Sequence, residues 1–118
     1  MRTISNEELK EILRKHKMWL NNEVGGEKAN LSYSDLGGSD LSYSDLRGSN
    51  IDFSCMSYSC KDLKCNYDDR QIIQQLYHVI AHCKNSKNAT KEVKKLLKIK
   101  TVVEIANKFH RVEECGKI

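Results

Sequence analysis

The chain has 118 residues, 31% of them charged, no proline and a formal net charge of +4. That length gives one domain, or two small halves sharing a core, and excludes a large buried interior. No apolar run approaches the roughly 20 residues a membrane helix needs and no secretory pattern opens the chain, so a soluble, cytoplasmic protein is expected.

Taken in order, Ser5 and Glu8 form a capping box ahead of Leu9, Ile12, Leu13 and Leu20 at helical spacings. An amphipathic helix ending near Asn21-Asn22 is expected, with Trp19 as an anchor and His16 beside the apolar stripe as a core histidine. Gly25-Gly26 is the hinge that follows.

From Ala29 to Tyr58 the sequence repeats every five residues: ANLSY, SDLGG, SDLSY, SDLRG, SNIDF, SCMSY. The third place is always bulky and apolar (Leu31, Leu36, Leu41, Leu46, Ile51, Met56), and the first is always alanine or serine. A period of five matches neither a helix, at about 3.6 residues per turn, nor a strand, at about 2, so the apolar row would drift round either element. It is buried instead in a solenoid, where each unit stacks on its neighbours.

After Met56 the central places become Lys61 and Asn66 and the repeat decays. Asp68 or Asp69 then caps a helix to about Cys83, whose apolar face holds Ile72, Ile73, Leu76, Val79, Ile80 and Cys83. His78 and His82 lie one turn apart on another side. Thr90 is expected to cap a short helix, Thr101 and Glu104 to form a second capping box, and Gly116 to mark a stop. Residues 27–53 carry five acids against two bases, and residues 84–118 ten bases against four acids. An acidic region and a basic one are expected.

Five cysteines, at 55, 60, 65, 83 and 115, are an odd number and fit thiols or metal ligands better than a disulfide framework. Cys60, Cys65, His78 and His82 have the spacing of a two-cysteine, two-histidine zinc finger, but polar residues hold the places its core requires. No phosphate loop or catalytic constellation is present, and a non-enzyme is expected.

The repeat resembles the pentapeptide-repeat family, which winds as a right-handed four-sided β-helix with four units per turn. The fold implied is α+β: a short right-handed quadrilateral β-helix of about one and a half turns over residues 27–60. It is flanked by a capping helix in residues 1–26 and a zinc-stapled helical subdomain in residues 61–118. More closely, the chain resembles small phage and prophage pentapeptide-repeat proteins. The resemblance runs through Leu9 to Leu31, through Asp68-Asp69-Arg70 and Leu76-Tyr77-His78, and through Ala106 to Gly116. It implies a structural zinc ion on Cys60, His78, His110 and Cys115, with Cys65, His82 and Cys83 as alternates, since two thiolates and two imidazoles make a closed tetrahedral site.

The resemblance also implies a phage-encoded inhibitor of bacterial defence: an anti-CRISPR protein that binds a type II RNA-guided DNA endonuclease in the host cytoplasm and prevents target DNA loading. Tyr33, Asp35, Asp40, Tyr43, Asp45 and Asp52 are the partner-binding candidates, acids and aromatics suited to a basic nucleic-acid channel. The alternatives are a DNA-mimic ligand of a topoisomerase and a nucleic-acid-binding zinc module using Lys91, Lys94, Lys95, Lys98 and Lys100. A homodimer would follow if the exposed last coil paired its strand-like edges.

Overall fold

The computed structural model describes residues 1–118. The chain falls into two compact units, Met1–Asp68 and Asp69–Ile118.

In the first unit a strand β1 (Arg2–Thr3) leads into helix α1 (Asn6–Leu20). Ser5 caps α1 as its sequence predicts, its hydroxyl accepting from the Glu8 N–H at 3.1 Å. The repeats follow as a stack of short extended segments joined by turns. Parallel bridges link Asn30 to Asn50, Asp35 to Cys55 and Asp45 to Asn66. Partners 20 or 21 residues apart mean that four five-residue units complete one coil before the next is laid on it. The backbone bonds agree: Leu31 N–H donates to Asn50 C=O at 2.8 Å, Tyr33 to Asp52 at 3.0 Å and Leu46 to Asn66 at 2.9 Å.

The period thereby turns its apolar row inward. Leu31, Leu36, Leu41, Leu46 and Ile51 are all buried and form one core with Ala29, Ile4 and Leu9, while Ile12, Leu13 and Met56 lie partly buried against it. The bridges remain isolated and close no sheet. The only two-stranded sheet is β1 paired in parallel with β2 (Ser34–Asp35), and regular structure elsewhere is mainly helical. Of the expected quadrilateral β-helix the structure shows stacked coils with isolated bridges and no closed sheet, in a chain that is mainly helical.

Two features close the stack. At its start β1, which the sequence does not announce, lies beside Ser34–Asp35, where a preceding coil would run. At its end, residues beyond the decayed repeat replace missing rungs: Asp62 Oδ1 accepts from Leu41 N–H at 2.9 Å, and Asp68 Oδ2 from Gly48 N–H at 2.6 Å. Asp62 sits on a 3-10 turn, Cys60–Lys64, and is itself buried. This capping carries the first unit to Asp68, beyond residue 60 where the repeat pattern fades.

His16 fastens α1 to the coils. It is fully buried; its Nδ1 accepts from Ala29 N–H at 3.0 Å and its Nε2 lies 2.8 Å from Arg47 C=O. An acceptor role at Nδ1 fixes the neutral tautomer protonated at Nε2. Trp19 stacks on His16 with ring centroids 5.4 Å apart and lies over Gly48, where a Cβ would come within 2.9 Å of the indole. Gly48, at φ +79°, is thus required for space as well as for conformation.

The second unit is built on α2 (Asp69–Asn85), followed by α3 (Lys91–Lys94), a 3-10 turn (Lys95–Lys98), α4 (Lys100–Ala106) and α5 (Val112–Cys115). Thr90 caps α3 by accepting from Val93 N–H. The expected box at Thr101 and Glu104 does not form: α4 begins two residues earlier than that cap would set, at Lys100 after Ile99, with no side-chain cap. Tyr77, Ile80, Cys83, Ala106 and Phe109 are buried, with Tyr77 and Phe109 stacked at 4.6 Å. The tail is tied down where the Tyr77 hydroxyl donates to Gly116 C=O at 2.6 Å. Gly116 ends α5 at φ +94°, the stop expected of it.

Candidate interaction surface and candidate metal ligands

The fifth residue of each repeat stands at a corner of the coil. At four corners the backbone is left-handed: Tyr33 (φ 56°), Tyr43 (59°), Phe53 (59°) and Gly48 (79°). Glycine adopts this conformation freely, whereas an L side chain costs about 1–2 kcal/mol there. Three bulky aromatics thus occupy corners that the backbone alone would give to glycine. These three residues are 58%, 75% and 48% exposed. Tyr33 and Phe53, one above the other on successive coils, stack at 4.8 Å with planes 16° apart. Tyr43 receives Lys64, whose Nζ donates to the hydroxyl at 3.0 Å and lies 5.3 Å from the ring centroid.

The four acids expected on this surface divide. Asp35 and Asp40 are exposed. Asp35 Oδ1 accepts from Gly37 N–H. Asp40 accepts from the Ser42 hydroxyl and N–H, and these bonds, the hydroxyl's above all, hold its carboxyl below the usual range. Asp45 is bound by Arg47 through Nε at 2.8 Å and Nη2 at 2.7 Å, and that bond lowers its pKa while neutralising the pair. Asp52 is 4% exposed and its side chain adds nothing to an outer face. Of the six expected contact residues, Tyr33, Asp35, Asp40 and Tyr43 stand out into solvent, Asp45 is half-buried and Asp52 is interior. Phe53 and Tyr58, also exposed, extend the aromatic set.

Beneath the last coil lies a polar group that sequence reading missed. Asp62 Oδ2 is buried without a hydrogen-bond partner, and the half-buried Cys65 thiol lies 2.8 Å from Leu41 C=O. Burial, then Asp62, raises the Cys65 pKa. Burial, then Cys65, pushes the Tyr67 phenol up to about 12.

The expected zinc ligands are distributed over both units. Cys60 belongs to the first, exposed at the start of its 3-10 turn. His78, His110 and Cys115 belong to the second and surround one aromatic pair. His78 lies edge-on to Phe109 at 5.8 Å, His110 to the same ring at 5.0 Å, and Cys115 raises the Tyr77 pKa, though less than burial does. Burial, then His82, lowers the His78 pKa, favouring the neutral imidazole a metal requires. No three histidine, cysteine or carboxylate side chains come together as a metal-holding group. Among the alternates, Cys83 is buried, Cys65 is engaged with Leu41, and His82 is exposed.

With this geometry in view, comparison with known proteins gives one match: residues 27–60 fit the family model "Pentapeptide repeats (8 copies)". Neither the curated proteins nor the solved structures gave a match. The match falls on the stacked coils, over the stretch where the period of five was read. No helix is long and apolar enough to cross a membrane.

Proposed function

We propose that this protein is a non-enzymatic binding protein that inhibits a partner through the aromatic edge of its pentapeptide coils. The observation that carries this reading is the set of exposed aromatics at left-handed corners. Tyr33, Tyr43 and Phe53 are held against backbone preference where Gly48 shows that glycine serves. Large rings presented on a rigid scaffold lose little entropy on binding and make effective anchors. Asp35 and Asp40 beside them favour a basic partner surface.

The partner we propose is a type II RNA-guided DNA endonuclease, the protein acting as a phage-encoded anti-CRISPR inhibitor that keeps target DNA from a basic channel. This rests on the resemblance of the terminal segments to phage accessory proteins. A DNA-mimic role is less well supported, because an acid row with Asp52 interior and Asp45 paired to Arg47 presents few free charges. Nucleic-acid binding by the lysine-rich helices lacks a stacking platform, and Lys95 and Lys100 already face Glu92 and Glu104.

Tagged protein incubated with lysate containing such an endonuclease and its guide should capture the endonuclease and suppress target cleavage. Capture of gyrase subunits, or of nucleic acid alone, would overturn the assignment. We further propose structural zinc on Cys60, His78, His110 and Cys115, on the chemistry of two thiols and two imidazoles. Metal analysis of protein purified without chelator, beside Cys60→Ser and His110→Ala, should show zinc lost in both variants; full metal content in both would exclude this set.

A further inference from the structure

We propose that His78 and His82 form an open binding site for a divalent transition-metal ion on the exposed flank of α2, an alternative use of His78 to the four-donor set. The two residues lie four apart in an unbroken helix, Asp69–Asn85, and both are exposed. That spacing stacks the side chains one turn apart on one face, with Cβ atoms about 5–6 Å from each other. Two imidazoles so placed reach a common ion at the roughly 2.0–2.1 Å that zinc–nitrogen bonds require.

The rest of the unit fixes one arm of this chelate. The His78 ring is held edge-on to Tyr77, with centroids 6.1 Å apart, and to Phe109 at 5.8 Å, both of which are themselves buried. One imidazole is therefore preorganised, and the other is exposed one turn further along the same helix. No acid or thiol joins them in a larger metal group, so the ion keeps positions for water or for a donor from a second molecule. Imidazole pairs select late first-row ions, and copper(II) should displace zinc. Such a site is exchangeable, unlike a closed structural one. It shares only His78 with the four-donor set proposed above and needs neither thiol.

The test is calorimetric titration of untagged, full-length protein with zinc sulfate in a non-chelating phosphine reductant. Wild type should bind one ion saturably. His82→Gln and His78→Gln should each lose saturable binding while far-ultraviolet circular dichroism keeps its helical signal, and Val79→Ala, an exposed neighbour on α2, should bind as wild type does. Binding retained in His82→Gln overturns the pair. Loss in both Cys60→Ser and Cys115→Ser with retention in His82→Gln would instead support the four-donor set. Wild type that binds no ion removes both.

Discussion

The two units bury their apolar residues by different rules. In the first, each repeat gives one side chain to a shared interior, and from Leu31 to Ile51 every central residue is at most 5% exposed. In the second, a few aromatics and one helix face do the work: Tyr77, Ile80, Cys83, Ala106 and Phe109 are buried together with the polar Gln71 and Gln74. Ile72, Val79, Val93, Ile99 and Ile105 remain between 37% and 53% exposed. A solenoid makes every repeat position count equally, whereas a cluster of short helices concentrates its cohesion in a few rings. Substitutions should therefore be uniformly costly along the coil and sharply uneven across the helices.

The largest effects break this contrast directly. Leu36→Ala and Leu41→Ala each remove a fully buried side chain and should cost about 2–5 kcal/mol. Urea unfolding followed by the fluorescence of Trp19, the sole tryptophan, reads this in the first unit. In the second, Phe109→Ala should cost about 3–5 kcal/mol, measured by amide exchange along α2, while exposed Val79→Ala stays within about 0.5 kcal/mol. Equal penalties at Phe109 and Val79 would contradict the uneven core.

His16→Ala comes next. It leaves the Ala29 N–H and the Arg47 carbonyl without their side-chain partner, and each buried unpaired group costs about 1–3 kcal/mol, so a loss of about 3 kcal/mol is expected. The Trp19 emission should shift as well, because its stacking partner is gone. A near-neutral His16→Leu would show that the histidine serves as volume and not as a bridge.

The difference between the units also explains what could be read in the sequence. The strict third place of the repeat identified Leu31, Leu36, Leu41, Leu46 and Ile51 as core before any coordinates, since only stacking buries a period of five. Ser5, Thr90 and Gly116 were legible because caps and stops are local. What ends the stack was not. β1 is two residues long and pairs with residues 34 and 35, and Asp62 and Asp68 substitute side-chain oxygens for carbonyls of a coil that no longer exists. These depend on contacts about twenty residues or more apart, to which no local pattern points. Asp52 illustrates the converse: it holds the fourth place of its unit, where Asp35, Asp40 and Asp45 hold the second, and it alone of the four is buried.

An intermediate effect sharpens the contrast through pH. The Tyr67 phenol is raised, chiefly by burial, to about 12 in the folded first unit from an ordinary value of 10. A raised folded value means its contribution is complete below about pH 10 and is lost as pH climbs through about 12, because the unfolded chain releases that proton first. Thermal unfolding between these limits should show the first unit weakening with pH, and Tyr67→Phe should flatten the slope. An unchanged slope in the variant would place the alkaline sensitivity elsewhere.

A small expected change in stability, at the corner aromatics, is the most informative about function. Tyr43→Gly relieves a left-handed L-residue, worth about 1–2 kcal/mol. It forfeits about 0.5–1 kcal/mol in unfolded-chain entropy and about as much from the Lys64 contact. These terms nearly cancel, so the variant should unfold within about 1 kcal/mol of wild type. Tyr33→Gly should be somewhat worse, since it also loses the stack on Phe53, worth about 0.5–1.5 kcal/mol. If the corner aromatics exist for a partner, both variants stay folded and lose capture of the endonuclease. If either variant costs several kcal/mol, its ring is a strut of the coil and the exposed edge loses its claim as the binding surface.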